Sequence, residues 1–202
     1  EAQLSNAMKI AKLGYWEYDV AKDLFTFNDH FYSIFRTSVE KVGGYTMSPA
    51  RYAQTFLHPD DMQVVAVEMK KAFETSDPNF SRQLEHRIIY ADGEVGYIAV
   101  RFFVVKDDQG RTIKTFGANQ DITERKRKEE ELNHLSNAVS MSRDSIVVSD
   151  LEGKIVEVNQ AALKMYGTDK KNDLVGRNYV ELVVPEDRHR MLENIQHALS
   201  HG

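Results

Sequence analysis

Apolar and polar residues alternate along three stretches in the middle of the chain, as they do in β-strands that bury one face. These stretches cover residues 80–90, 95–105 and 111–120, and turns that contain glycine separate them. Two shorter, aromatic-rich runs of strand length precede them, at residues 15–19 and 24–27. The pattern predicts five strands, and the tight turns between successive runs predict antiparallel pairing.

Between the second and third predicted strands, apolar residues recur three and four positions apart, which is the spacing of one helix face. Phe31, Ile34 and Phe35 form such a row after Asn28, and asparagine is a preferred N-cap residue. A longer row over residues 65–73 predicts a second helix. The order of elements predicts an α+β fold, in which an antiparallel sheet of five strands is flanked by helices.

The same pattern occurs twice along the chain. Leu-Ser-Asn-Ala at residues 4–7 recurs at residues 135–138, and equivalent strands, turns and caps follow both tetrapeptides in the same order. Asn159 thus holds in the second copy the capping position that Asn28 has in the first. We expect a duplicated domain whose second copy, which ends at Gly202, is truncated to the first half of the fold.

A predicted strand passes into a charged helix without a loop where the first copy ends. Asp121, Ile122, Thr123 and Glu124 form this junction. Asp121 is suited to cap the helix, and Glu124, three residues later, can close a capping box with it. Because the helix ends one copy and begins the next, we expect these four residues to act as a signalling hinge.

The helix after the junction carries a row of Leu132, Leu135 and Val139 at spacings of three and four. This spacing predicts a weak coiled-coil seam in the linker and, with it, a parallel homodimer. The predicted strand at residues 95–105 is apolar on both faces, so the sheet needs a cover on each. Residues 3–12, which have a helical pattern, a partner subunit, or both would supply the outer cover.

Composition and charge narrow the classes of function. The chain has 202 residues, of which 42% are hydrophobic and 28% charged, and its net charge of −5 gives no reason to expect nucleic acid as a partner. The basic run at residues 125–128 is flanked by glutamates, which favours a solvated helix face. No apolar run is long enough for a membrane span. The chain has no cysteine, which excludes disulfides, thiolate metal sites and thiol nucleophiles.

The ordered motifs of the chain resemble those of PAS domains, which are sensory modules of bacterial and archaeal signalling proteins. Residues 14–19, 58–61 and 85–93 are similar to one PAS subtype, and residues 121–125 are similar to the motif that closes a PAS core. The second copy resembles the S-box form over residues 150–177. The resemblance covers nearly the whole chain and implies tandem PAS/PAC sensor domains of a signal-transduction protein, with a sensor histidine kinase as the expected parent.

The resemblance implies four segments: a capping helix at residues 1–12, a first PAS/PAC domain at 13–122, a linker helix at 123–142, and the N-terminal half of a second PAS domain at 143–202. Their function would be to relay a ligand, redox or protein signal to a downstream kinase domain in cis, or to a diguanylate cyclase. The alternative from another class is a ligand-free PAS scaffold for dimerisation or partner docking. The expected location is the cytoplasm, with a parent protein that can be membrane-anchored.

PAS pockets lie between the sheet and the first helices, and the matching positions here are mostly apolar. The candidate pocket residues are Trp16, Phe27, Phe31, Phe35, His86, Ile88, Ile98 and Val100. Such a lining would suit a small organic ligand, and the same residues would equally form a filled core. For His86, the role of a satisfied, half-buried histidine is favoured over a role in ligand sensing.

PAS relatives hold flavin, haem, small acids or nothing, so the resemblance leaves the cofactor of this chain unknown, with none as the first expectation. The absence of cysteine excludes a flavin that forms a cysteine adduct. His189 and His197 lie on the helix that carries the haem ligand in oxygen-sensing relatives, but Arg188 and Arg190 beside His189 favour a solvated side chain. We therefore disfavour haem. The sequence shows neither metal-ligand spacing nor a nucleophile–base pair, which predicts that this segment is not an enzyme.

Overall fold

The structure is a computed structural model that describes residues 13–201. The capping helix expected within residues 1–12 lies outside the described residues. The chain divides between Lys128 and Glu129 into two compact units.

The first unit contains one antiparallel sheet with helices on its inner face. Its strands run in the order β3-β2-β1-β6-β5-β4. The elements are β1 (Gly14–Asp19), β2 (Leu24–Phe27), α1 (Asp29–Ile34), α2 (Val39–Val42), β3 (Thr46–Met47), α3 (Pro49–Phe56), a 3₁₀ turn (Pro59–Asp61), α4 (Met62–Glu74), β4 (Ser81–Ile89), β5 (Val95–Lys106) and β6 (Thr112–Asp121). Helix α5 (Thr123–Met141) begins in the first unit and continues past the boundary into the second.

The sheet has six strands, whereas the alternation of residues predicts five. The additional strand is β3, which pairs with β2 through Phe25 and Thr26 at the edge of the sheet. A strand of two residues is too short to show alternation, so periodicity could not reveal it. The other strands of this sheet match the predicted runs to within two residues at each end.

The inner face of the sheet forms the core of the first unit. Along β5, Ile98, Val100, Phe102 and Val104 are all buried, as the alternation predicts. Aromatic residues of α1 pack against this face, and the ring of Phe31 stacks on that of Phe27 with centroids 3.9 Å apart. This packing buries several aromatic side chains, which are the largest contributors to hydrophobic stabilisation.

The second unit is smaller and has a core of its own. Its core residues are Ile155, Val158, Ala162, Leu163 and Leu174. Its elements are β7 (Val147–Ser149), β8 (Ile155–Val158), α6 (Gln160–Met165), three 3₁₀ turns (Lys171–Asp173, Tyr179–Leu182 and Pro185–Asp187) and α7 (Arg188–His201).

The duplication extends to individual hydrogen bonds. In both copies, the side-chain oxygen of the capping asparagine accepts one N–H from the start of the first strand and one from the first turn of the helix. Asn28 accepts the N–H groups of Tyr15 (3.0 Å) and Phe31 (2.8 Å). Asn159 accepts those of Ile146 (2.9 Å) and Ala162 (2.9 Å). Both residues therefore act as the N-caps that the sequence predicts.

Candidate functional site

A cavity of about 370 Å³ lies in the first unit between the inner face of the sheet and helices α3 and α4. This volume is within the usual range for small-molecule sites. Most of its wall is hydrocarbon. The lining residues are Trp16, Tyr18, Phe25, Phe27, Phe31, Pro49, Tyr52, Ala53, Leu57, Met62, Val65, Ala66, Glu68, Met69, Phe73, Leu84, His86, Val100, Phe102 and Asn119.

The structure divides the predicted pocket residues into two groups. Those on the cavity wall are Trp16, Phe27, Phe31, His86 and Val100. Phe35, Ile88 and Ile98 are buried but belong to the packed core beside the cavity. Phe35 faces away because its ring packs against Phe56, with centroids 4.4 Å apart.

Asn119 and Trp16 meet on the cavity wall. Trp16 lies on β1 opposite Gly117 of β6, and its indole N–H donates to Asn119 Oδ1 at 2.9 Å. A side chain at position 117 would overlap the indole, because an added Cβ would lie 2.9 Å from a ring carbon of Trp16. The indole thus packs across β6, an interior strand of the sheet and the one that leads into α5.

His86 is the second polar group on the wall, and it is buried rather than half-buried. Its Nδ1 lies 3.0 Å from the backbone oxygen of Arg87. Burial lowers the pKa of the His86 imidazole below its usual value, because the apolar surroundings disfavour the charged ring. The side chain is therefore a neutral imidazole at neutral pH.

Glu68 is the charged residue of the cavity wall, and two cations hold its carboxylate. Lys71 Nζ donates to it at 2.5 Å and Arg82 Nε at 2.9 Å. These hydrogen bonds hold the pKa of the Glu68 carboxyl below its usual value. Neither cation is itself among the residues that line the cavity.

Tyr52 and Asn119 also line the cavity, although neither is among the residues predicted for it. Tyr52 lies on α3, a helix for which no separate apolar row was recognised, and burial raises the pKa of its phenol. Asn119 follows Thr115 and Gly117 on the buried side of β6, so its place on that face was readable from strand alternation. A polar side chain did not fit a pocket that the sequence predicts to be mostly apolar, so Asn119 was not predicted.

The junction between sheet and exit helix is bonded tightly, but its cap differs from the prediction. The helix α5 begins at Thr123, and Ile122 O accepts the first helical N–H, from Lys126, at 2.9 Å. Asp121 therefore ends β6 one residue before the cap, and its carboxylate accepts the Thr123 N–H at 2.8 Å. Glu124 is then the second helical residue, one short of the position that a capping box requires, and it pairs with Lys128 at 2.6 Å.

Tyr90 connects this junction to the rest of the first unit. Its hydroxyl donates to Asp121 Oδ2 at 2.8 Å and lies 2.7 Å from Thr123 Oγ1. The same threonine hydroxyl accepts the backbone N–H of Tyr97 on β5 at 2.8 Å. The ring of Tyr90 lies against Gly96, where an added Cβ would approach the ring atoms to 2.3 Å. Tyr90 thus fixes the first residue of the helix against the sheet.

The guanidinium of Arg36 lies over the ring of Tyr90. Arg36 follows Phe35 at the end of α1, and its guanidinium carbon lies 3.9 Å above the centre of the Tyr90 ring. Arg36 has a φ of 56°, in the left-handed region, where the second copy has Gly167 with a φ of 73°. A non-glycine residue in this conformation is strained, and such strain is often found at functional sites. Its guanidinium also pairs with two acidic residues, Asp92 at 2.6 Å and Glu94 at 2.9 Å.

The other predicted residues lie on exposed surfaces. Leu132, Leu135 and Val139 of α5 are all exposed. His189 is solvated and lies 3.5 Å from Glu193 on α7. Residues 13–201 contain no group of three or more histidines and acids that could hold a metal ion. In the same part of the chain, no helix combines the length and hydropathy needed to cross a bilayer.

Comparison with known proteins identifies the fold family of this architecture. The PAS fold is matched by two family models, one over residues 29–119 and the other over residues 133–202. The chain belongs to the PAS family. One PAS match lies in each of the two compact units.

Among curated proteins, these PAS domains are similar to the sensor protein kinase WalK of Staphylococcus aureus (strain Newman), with 29% identity over 145 residues. The match covers 71% of this chain and 20% of WalK, so the chain spans about a fifth of the length of that relative. Among solved structures, the sensory box histidine kinase/response regulator from Burkholderia thailandensis E264 matches with a TM-score of 0.57 and 21% identity. That match covers 67% of this chain and 95% of the solved one, and it shows a likeness of fold.

Proposed function

We propose that the first PAS domain is a ligand sensor that controls the position of helix α5, and that the parent protein is a sensor histidine kinase. The observation that carries the proposal is the Tyr90 hydroxyl bridge between the sheet and the first residue of α5. The similarity to the sensor kinase WalK supports a histidine kinase as the parent protein, and the chain spans about a fifth of the length of WalK.

The route from cavity to helix consists of packed and bonded neighbours. Phe31 lines the cavity, and its helix α1 is followed directly by Phe35 and the strained Arg36. Phe35 O also accepts the N–H of Ala91 at 3.0 Å, next to Tyr90. A ligand that moves α1 would therefore shift Arg36, and with it the ring that anchors the helix. Coupling through such neighbours requires an energetic test.

The test is a double-mutant cycle of Tyr90→Phe and Arg36→Gly in the full-length parent, with autophosphorylation as the readout. If both residues act in one route, the double variant changes signalling no more than the stronger single variant. Tyr15→Phe is the matched control, because the Tyr15 hydroxyl donates to Glu17 on the same strand and to no residue of α1 or the junction. Additive effects of the two substitutions, or normal signalling in both, would contradict the route.

We also propose that the exposed row Leu132, Leu135 and Val139 pairs with the same row of a second chain in a parallel homodimer. These apolar side chains lie one helical turn apart on a helix that is otherwise rich in charge, and pairing would remove them from water. Light scattering should give a dimer mass for the wild-type chain and a monomer mass for Leu135→Lys. Glu131→Lys, with the same new residue outside the row, should remain a dimer.

A further inference from the structure

The cavity has two buried polar groups whose hydrogen-bonding capacity is only half used. His86 is 5% exposed and Asn119 is 1% exposed, and both line the cavity. A polar atom that a buried residue presents to a cavity without a protein partner is available to bond to a ligand. In each side chain, one polar atom is already hydrogen-bonded, and the chemistry of that bond identifies the atom that is free.

For Asn119, the free atom is the amide nitrogen. The indole N–H of Trp16 can only donate, so the atom 2.9 Å from it must be the side-chain oxygen. The NH₂ group then faces the other way and has no acceptor among the described residues. The cavity therefore offers a hydrogen-bond donor at this position.

For His86, the free atom is an acceptor. The backbone oxygen of Arg87 can only accept, so Nδ1 at 3.0 Å from it carries the proton of the neutral ring. Nε2 on the opposite side of the imidazole then has a free lone pair, and no donor of the described chain occupies it. His86 lies on β4 and Asn119 on β6, so the two groups are separated by one intervening strand.

The charges around the cavity disfavour an anionic ligand. Neither lysine nor arginine is among its lining residues, and Glu68 contributes a negative charge that Lys71 and Arg82 balance from outside the wall. A buried carboxylate or phosphate without a cationic partner is strongly disfavoured. A cation is disfavoured too, because the one carboxylate of the wall is already paired.

We propose that the cavity binds a neutral, largely aromatic or aliphatic ligand with a hydroxyl group that donates to His86 Nε2, such as a phenol or an aromatic alcohol. Asn119 Nδ2, two strands away, offers a donor to a second polar atom of such a ligand. The proposal rests on the proposed sensory function and names the class of its ligand. It distinguishes this chain from a sensor of small organic acids.

Three probes of one shape test the ligand class: 2-naphthol, naphthalene and 2-naphthoate, measured by isothermal titration with the 202-residue chain at neutral pH. One additional hydrogen bond in a buried site corresponds to about a tenfold change in affinity. We expect 2-naphthol to bind about tenfold more tightly than naphthalene, and 2-naphthoate to bind more weakly than either.

Two variants assign the preference to residues. His86→Leu should lower the affinity for 2-naphthol about tenfold and leave that for naphthalene unchanged, because the lost group is an acceptor. His86→Gln, which restores an acceptor, should recover part of the preference and serves if the leucine variant folds poorly. Gln83→Leu is the matched control, since Gln83 lies on the exposed face of the same strand.

Several outcomes would overturn the ligand class. Equal or tighter binding of 2-naphthoate would show a site for acids, and the proposed sensory function would survive. If the His86→Leu variant still prefers 2-naphthol to naphthalene, the hydroxyl bonds to a residue other than His86. If no probe binds, the neutral-ligand proposal fails, while the cycle of Tyr90 and Arg36 substitutions still tests the relay independently.

Discussion

A single hydroxyl group holds the start of the exit helix. Tyr90 reaches both Asp121 and Thr123, and Thr123 is buried, so the tyrosine satisfies polar groups that water does not easily replace. Tyr90→Phe keeps the ring, its packing on Gly96 and its contact with Arg36. The substitution therefore isolates the hydrogen bonds from the packing.

We expect Tyr90→Phe to lower the free energy of unfolding of the first unit by about 1 kcal/mol, the usual net contribution of one hydrogen bond. Urea unfolding followed by tryptophan fluorescence measures the change. Tyr45→Phe, which removes an exposed hydroxyl, should change the free energy of unfolding by less than about 0.5 kcal/mol. Equal effects of the two substitutions would show that the Tyr90 bonds contribute nothing specific.

Asp61 makes the stability of the first unit depend on pH in the acid range. Its carboxylate accepts Arg87 Nη2 at 2.6 Å and the Arg87 backbone N–H at 2.7 Å, and these bonds hold the pKa of the Asp61 carboxyl below its usual value. A carboxyl whose pKa is lower in the folded than in the unfolded state stabilises the fold above about pH 4. That stabilisation is lost as the pH decreases through the folded-state pKa.

Asp61→Asn should cost about 1.5 kcal/mol at pH 7, near the low end for hydrogen bonds to charged groups. The difference from wild type should shrink toward zero as unfolding is measured from pH 5 down to about pH 2. Asp60→Asn is the control, because Asp60 is 69% exposed and lies 3.4 Å from the same arginine. A difference that stays constant with pH would exclude ionisation of Asp61 as its source.

At the scale of elements, strand β4 and helix α5 are joined at the surface. Glu85 pairs with Arg125 at 2.6 Å and with Lys126 at 2.8 Å, in the first turn of α5. Exposed ion pairs contribute little to global stability, but they can limit local fraying of a helix end. We therefore expect the two ion pairs to limit the opening of the first turn of α5 and to contribute little to the global free energy of unfolding.

We expect Glu85→Ala to change the global free energy of unfolding by less than about 1 kcal/mol. Hydrogen exchange of the backbone amides at residues 126–130 should nevertheless become several-fold faster, because the first helical turn opens more often. Gln83→Ala, on the same face of β4, should leave those amides unchanged. Unaltered exchange in the glutamate variant would show that the junction bonds of Tyr90 and Asp121 suffice.

The sequence predicted the long elements well, because their alternation and helical spacing extend over many residues. Strands β4 to β6 and the row Phe31, Ile34 and Phe35 are examples. Short elements and individual polar contacts carry no period, which is why β3 and Asn119 were missed. The cap was misplaced by one residue because Asp121 bonds to the helix start while its backbone still pairs in the sheet.

At the scale of the molecule, two separate cores predict two unfolding transitions. The chain has one tryptophan, Trp16, and it lies in the first unit, so its fluorescence reports that unit. Circular dichroism at helical wavelengths reports both units. Different transitions by the two probes are the standard sign of behaviour that is not two-state.

Leu163→Ala should destabilise the second unit by about 2–5 kcal/mol, because Leu163 is buried in its core. The fluorescence midpoint should stay unchanged while the circular dichroism curve loses its second component. Phe35→Ala in the first core should shift the fluorescence midpoint instead. If Leu163→Ala moves the fluorescence midpoint by the same amount as the dichroism curve, the two units unfold as one.

The left-handed turn after α1 also constrains the history of the duplication. At equivalent positions, the first copy has Arg36 and the second has Gly167. In a lineage that began with glycine, mutation to arginine costs about 1–2 kcal/mol of backbone strain and is tolerated only where partners compensate for it. The acids Asp92 and Glu94 would then have arisen before the arginine. Ancestral sequences with the acids and a glycine turn are the expected intermediates, whereas those with the arginine alone are not.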